Sequence, residues 1–260
     1  MPLRTIQDLE ANEHVPNASR LSVGSTYELI REAATNDPER TAIALLAGSK
    51  RSDRAVRLSY RALLNTIHQT ANLLADLGIG PGDVIALLLP QLLETHLVLW
   101  GGQAAGIVCP ISPWLPDEQI VALLQAAQAK LLVAPGPQVS HGLWQKAERV
   151  RGQVKSITLM LQMRGPGKER DAVYAFDALL ADYPSDCLHS GREIALDDIA
   201  VYLPTSNLTG MPSQLPLTHG NLLDAAWAIS LVTMLAPEEV LLGGLLRFNQ
   251  MNRMKRQVRT

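Results

Sequence analysis

Residues 204–222 concentrate the hydroxyl and amide side chains whose types and spacing could do chemistry. An apolar run, Ile199 to Leu203, leads into Pro204, Thr205, Ser206, Asn207, Leu208, Thr209, Gly210, Met211 and Pro212. A short apolar segment, Leu215 to Leu217, follows, and Thr218 opens an amphipathic run from Leu222 to Leu235. The pattern reads as strand, polar turn, strand, helix. A loop of Thr, Ser, Asn and Gly leaving a buried strand can offer hydroxyls and backbone N–H groups to an anion. From the residues alone, a plain turn between two strands accounts for the same pattern. Thr218 is placed to cap the helix that follows.

Elements of alternating type must position this loop. Thr26 to Ala34 reads as a helix, Thr41 to Ala47 and Val56 to Ser59 as strands joined by a polar, basic loop. Ser59 caps a long helix in which Leu63, Leu64, Ile67, Ala71, Leu74 and Leu77 recur at helical spacing, and Gly78 stops it. The turn Gly80-Pro81-Gly82-Asp83 launches a strand, Val84 to Leu89. Helix 92–105 is nearly all apolar, which predicts burial on several sides. Then come a strand Ile107 to Ile111, a helix Pro116 to Ala127 with Pro in its first turn, and a strand Lys130 to Ala134. His141 to Arg149 reads as a helix, Ser156 to Leu161 as a strand and Phe176 to Ala181 as a short helix. Strands alternating with helices imply βαβ units and a largely parallel sheet covered on both faces.

Composition narrows the class. The chain has 260 residues, enough for a sizeable core, and 47% are hydrophobic, as in a globular protein. Net charge is −2, so nothing global points to nucleic acid or an acidic membrane surface. Two cysteines, Cys109 and Cys187, are too few for a disulfide scaffold, and their spacing fits no metal motif. Two reduced thiols in a cytoplasmic protein are expected. Residues 1–10 carry no apolar signal segment, and the apolar stretch near Val84 to Trp100 is broken by Pro90, Gln91, Glu94 and His96, so no membrane span is expected. No G-x-x-x-x-G-K-[ST] and no strand-linked G-x-G-x-x-G occurs, which argues against a Walker-type nucleotidase and a Rossmann dehydrogenase.

The loop resembles the phosphate-loop signature of the adenylate-forming (AMP-binding) superfamily, T-S-G-[ST]-T-G-x-P-K-G-V-x-x-[TS]-H-x-N-L. Thr205, Ser206, Thr209, Gly210, Pro212, Thr218, His219, Asn221 and Leu222 match at the family spacing. Asn207 stands for a Gly, Leu208 for a Ser or Thr, Ser213 for the Lys and Gln214 for the next Gly. Upstream, Ser59, Tyr60 and Leu63, then Leu74, Gly78, Ile79, Gly82, Asp83, Val84 and Ala86, resemble the family's T/S-Y-x-x-L and L-x-x-x-G-I/V-x-x-G-D-x-V-A segments. Gly106, Pro110, Ser112 and Pro113 match a further segment in part.

The resemblance implies an α/β fold, the N-terminal part of an acyl-CoA synthetase-like enzyme. The implied chemistry joins an acid to ATP, giving an acyl-adenylate and pyrophosphate, and CoA then displaces AMP, with Mg²⁺ as the metal. By the same resemblance Thr205, Ser206, Asn207, Thr209 and Gly210 contact the nucleotide phosphates, and His219 orients the loop from its base or serves as a satisfied, half-buried histidine. Losing the Lys removes a charge and its donors, and Leu208 removes a hydroxyl. The expected organisation is a partial AMP-binding domain over 1–245 and a divergent basic tail over 246–260. The family's Y-G-x-T-E string and its lid with the catalytic Lys are not found. A truncated chain, inactive alone, is therefore expected. A non-catalytic binding module with the same fold and a fragment of an amino-acid adenylation domain are the alternatives. Expected partners are a carboxylic acid and a nucleotide. Self-association is expected through the stripe Leu222, Leu223, Ala226, Ile229, Val232 and Leu235.

Overall fold

The computed structural model describes residues 21–46, 55–165, 172–205 and 213–233. The chain divides into two compact units, Val15–Ala225 and a second made of Met1–His14 with Ala226–Thr260. In chain order the first unit holds α1 (Thr26–Asn36), β1 (Thr41–Leu46), β2 (Ala55–Ser59), α2 (Tyr60–Asp76), β3 (Val84–Leu87), α3 (Leu93–Ala105) and β4 (Ile107–Pro110). There follow α4 (Asp117–Ala126), β5 (Leu131–Pro135), α5 (His141–Arg151), β6 (Leu159–Met163), β7 (Val173–Ala175), α6 (Phe176–Leu180), β8 (Ile199–Thr205) and β9 (Ser213–Thr218). Helix α7 runs over His219–Thr233, its last residues from Ala226 belonging to the second unit.

Seven strands form one sheet in the order β7-β6-β5-β3-β4-β8-β9, while β1 and β2 pair as an antiparallel hairpin. Within the large sheet every pairing is parallel except β8 with β9. The expected largely parallel α/β architecture is thus present. Strand β3 lies between β4 and β5, and the chain passes from β3 outward to β4, then back across β3 to β5. That reversal puts α3 and α4 on opposite faces, since such crossovers are right-handed.

Side-chain alternation in β3 divides the core. Ile85 and Leu87 point to one face, where Leu63, Ile67 and Leu74 of α2, Leu97 and Val98 of α3 and Phe176 cover them. Val84 and Ala86 point to the other, where Ile120, Leu123 and Leu124 of α4 and Ala147 and Val150 of α5 lie. Helix α3 is wedged closely between α2 and the sheet. A Cβ on Gly101 would stand 2.5 Å from Thr70 Cβ, and one on Gly102 would stand 2.7 Å from Val108 Cγ2. Two adjacent glycines thus set how near the helix comes on both sides.

The turn into β3 explains its sequence. Ser59 Oγ accepts from Ala62 N–H and starts α2. Gly78, at φ +80°, ends it: its N–H donates to Ala75 O and that of Ile79 to Leu74 O, the paired bonds of a Schellman stop. Asp83 then closes the Gly80-Pro81-Gly82 turn, accepting from Gly80 N–H at 2.8 Å and from Lys130 Nζ at 2.8 Å. Partial burial pushes the Asp83 carboxyl up, but Lys130 and the Gly80 N–H outweigh it and hold it below its ordinary value.

Some boundaries differ from the sequence expectation. Pro116 lies outside α4 as its N-cap, with ψ 149°, rather than in its first turn. Lys155 and Ser156 form a turn and Ile157 and Thr158 are irregular, so β6 begins only at Leu159. Strand β7 has no counterpart in the sequence reading, because three residues carry too little periodicity. Along the expected apolar stripe of α7, Leu223 is buried, while the side chain of Val232 and all of Leu235 lie outside the described residues.

The Asp83 clamp predicts a pH signature. Its folded pKa is lowered, so its stabilisation is present above the unfolded carboxylate value and is lost as pH falls through the folded one. Asp83→Asn should cost about 1 kcal/mol at pH 7, a figure kept small because both partners are partly solvated. In urea unfolding the gap from wild type should close toward pH 3. A gap of equal size at both pH values would refute it.

Candidate functional site

Strand β8 lies beside β4 and parallel to it, so its last residue, Thr205, stands at the carboxyl edge of the sheet. Ligands of open α/β sheets bind at that edge. Strand β9 returns antiparallel as the sheet's edge strand, pairing Thr205 with Ser213, Pro204 with Gln214 and Leu203 with Leu215. The edge position tolerates Pro216, whose missing N–H would break a central ladder. Of the expected phosphate contacts, Thr205 is described, whereas Ser206, Asn207, Thr209 and Gly210 lie outside the described residues, as does Leu208.

Thr205 meets the residue that stands in place of the family lysine. Its Oγ1 lies 2.9 Å from Ser213 Oγ and donates to Ser213 O at 3.4 Å. The hydroxyl pair closes the mouth of the hairpin. The next departure, Gln214, turns inward. Its Nε2 donates to Leu123 O in α4 at 2.8 Å and lies 3.6 Å from Cys109 Sγ. Cys109 is fully buried, and burial pushes its thiol up to about 12, so it remains an inert packing group.

Helix α7 opens with reciprocal capping. Thr218 Oγ1 accepts from Asn221 N–H at 3.1 Å, and Asn221 Oδ1 accepts from Thr218 N–H at 3.1 Å. This is a capping box with Asn as its second member. The remaining first-turn donors are also engaged: His219 N–H binds Asp198 O at 3.0 Å, and Gly220 N–H binds Leu196 O at 2.8 Å. A Cβ at Gly220 would stand 3.1 Å from Leu196 O, which favours glycine there. The first three N–H groups of α7 are therefore spent on the protein itself and not on an anion.

His219 is completely buried rather than half-buried. Thr26 N–H donates to its Nδ1 at 3.3 Å, which places the ring proton on Nε2. The Thr26 hydroxyl stands between Nδ1, at 2.9 Å, and Gln103 Oε1, at 2.8 Å. Nε2 has no partner among the described residues. Desolvation, helped by the Arg192 charge and opposed by Asp198, lowers the imidazole pKa to about 4. His219 thus enters the structure as a neutral tie between the starts of α1 and α7. Thr26, Gln103, Arg192 and Asp198 escaped the sequence reading. The one visible signal was Gln103, a lone amide in the apolar second half of α3.

A doubly wound sheet with an antiparallel hairpin at its carboxyl edge defines an α/β protein of the class whose ligands bind at that edge. Family comparison agrees: a model described as "AMP-binding enzyme" matches residues 30–245, and the chain belongs to that family, the acyl-CoA synthetase-like adenylate-forming enzymes, as their N-terminal part. Marinolic acid–CoA ligase of a Pseudoalteromonas species is 26% identical over 217 residues, covering 84% of this chain and 33% of its own. Crotonobetaine/carnitine–CoA ligase of Escherichia coli is 32% identical over 168 residues, covering 64% of this chain and 31% of its own. The crystal structure of an anthranilate CoA ligase with anthranoyl-AMP shares the fold, with TM-score 0.65, 18% identity, 82% of this chain and 38% of that one. The chain thus spans about a third of the length of the curated relatives it matches. Among the described residues no helix is long and apolar enough to cross a membrane.

The His219 tie yields a second pH prediction. A histidine whose folded pKa is lowered from 6.5 to about 4 favours the folded state fully above pH 6.5 and progressively less as pH falls toward 4. The loss is bounded at about 3 kcal/mol. His219→Gln keeps an acceptor for Thr26 N–H and should flatten this acid-side slope in urea unfolding between pH 7 and 4.5. Slopes that stay parallel in the two proteins would refute the assignment.

Proposed function

We propose that these residues form the phosphate-loop side of an AMP-forming acid–thiol ligase, with a carboxylic acid, ATP, Mg²⁺ and CoA as its substrates and cofactors. The observation that carries the reading is the hairpin at the carboxyl edge, whose hydroxyls at Thr205 and Ser213 face one another across its mouth. With the first N–H groups of α7 engaged, phosphate contact falls to Thr205, Ser206, Asn207, Thr209 and the backbone near Gly210. His219 supports the loop from below through α7 and makes no phosphate contact. An acyl acid suits the curated relatives, which are named as CoA ligases for marinolic acid and for crotonobetaine or carnitine.

Ser213 favours a second reading, a binding protein of the same fold with little or no turnover. A hydroxyl replaces the cation, and it is already used to close the hairpin. Charge-assisted bonds are about twice as strong as neutral ones, so triphosphate loses more than AMP does. The domain is expected over 1–245 with a basic tail over 246–260, in a cytoplasmic setting. Self-association is expected through the apolar face of α7 and is checked by light scattering.

Two measurements decide between the readings. The 260-residue chain should bind ATP and AMP weakly in calorimetry, and the double variant Leu208→Thr with Ser213→Lys should tighten ATP about tenfold or more, each restored contact contributing roughly 1.5–3 kcal/mol. An unchanged affinity would make the loop a turn without phosphate function. ATP–pyrophosphate exchange with fatty, aryl and amino acids should stay at background for the unaltered chain. Robust exchange with any acid would overturn the second reading and establish a ligase.

A further inference from the structure

Between α6 and β8 the chain runs from Ala181 to Asp198 without regular structure, and α2 clamps the backbone of its first half. Gln69 Nε2 donates to Tyr183 O at 3.1 Å. Asn72, itself buried, donates from Nδ2 to Pro184 O and to Cys187 O, each at 3.0 Å, and accepts from His189 N–H at 2.9 Å. His68 Nδ1 lies 2.9 Å from Ser185 O and must donate to it, while its Nε2 accepts from Tyr27 OH at 2.9 Å. Tyr183 OH donates to Asp76 Oδ2 at 2.9 Å. Backbone atoms of residues 183, 184, 185, 187 and 189 are thus all held by side chains of one helix.

What this clamp presents to solvent is a set of three different donors. Asp186, Cys187 and His189 are all exposed, and their carboxylate oxygen, sulfur and imidazole nitrogen lie within 4.8 Å of one another. His189 Nε2 stands 3.5 Å from Asp186 Oδ1. A tetrahedral zinc site with bonds of about 2.0–2.3 Å spaces its ligand atoms about 3.3–3.8 Å apart, so the nitrogen–oxygen edge already has the required length. The sulfur needs only a rotation of an unhindered side chain to complete the face. We propose that Asp186, Cys187 and His189 form a three-ligand site for a transition-metal cation of the Zn²⁺ class.

The donor set selects the metal. One carboxylate, one thiolate and one imidazole are too soft for Mg²⁺ or Ca²⁺ and too mixed for Cu(I), and they suit Zn²⁺ or Co²⁺. On binding, the Cys187 S–H bond breaks, its proton goes to the buffer and the sulfur bonds the metal, with no change of oxidation state. Three protein ligands leave a coordination position for water. The site is separate from the phosphate hairpin, and its metal would fix the segment that delivers the chain to β8. Cysteine spacing pointed to no metal motif because the set uses a single cysteine, with its partners one and two residues away on a backbone that α2 clamps.

Co²⁺ titration of the untagged, reduced 260-residue chain is the test. One equivalent should produce the near-ultraviolet thiolate-to-cobalt absorption and the intense visible bands of four-coordinate cobalt, and Zn²⁺ should displace both. Cys187→Ser should abolish the thiolate band, and His189→Ala should weaken Co²⁺ binding at least tenfold. Because both positions are exposed, circular dichroism of the variants should match wild type. Zn²⁺ should raise the melting temperature of wild type and leave that of Cys187→Ser unmoved. Absence of the thiolate band, its persistence in Cys187→Ser, or unweakened binding in His189→Ala would each overturn the site.

Discussion

Strand β3 is hydrogen-bonded along both edges and buried on both faces, and the rest of the first unit answers to that condition. Its backbone groups are satisfied only if β4 and β5 flank it in parallel. Its alternating side chains are covered only if helices occupy both sides. The first demand forces the chain to reverse direction after β4, and the second is met by that reversal, since it throws α3 and α4 to opposite faces. Gly101 and Gly102 then let α3 sit close enough to seal one face. The same reversal opens the crevice at the carboxyl edge, where ligands of open α/β sheets bind.

Electrostatic resources at that edge are limited by what the fold has already used. A free helix N-terminus is an anion site of general utility. At α7 the Asp198 and Leu196 carbonyls and the Thr218 hydroxyl occupy the first three donors. This binds the helix to the segment before β8 and leaves none of those three N–H groups for an anion. The spacing of Thr218, His219 and Asn221 is matched by helix capping and by the tie to Thr26.

Much of this was legible because local signals agreed with one another. Ser59, Gly78 and Thr218 mark helix ends through side-chain or φ requirements that act within a few residues, and each was found where expected. Alternating elements announced the sheet. Long-range partners were not legible: nothing near Asp83 in sequence points to Lys130, and nothing near His219 points to Thr26. The burial of His219 was misjudged for that reason, since a neutral imidazole needs partners that only the folded chain supplies. The cluster at 186–189 is local in sequence, but the backbone that presents it is held by Asn72, more than a hundred residues upstream.

The two departures at the hairpin act as a pair. Residues 213 and 214 are neighbours in a strand, so their side chains leave on opposite faces. Gln214 takes the inner one, reaching Leu123 O and the Cys109 sulfur. Ser213 therefore takes the face shared with Thr205, its cross-strand partner. A glycine at 214 could not make the inward bond, and a lysine at 213 could not make the short hydroxyl contact. Both side chains spend their polar atoms on internal hydrogen bonds. The hairpin is tied to its own domain by the Gln214 bond on one face and the hydroxyl pair on the other. The two strands of the hairpin take their place at the sheet edge from β8 beside β4, a place set by backbone pairing alone.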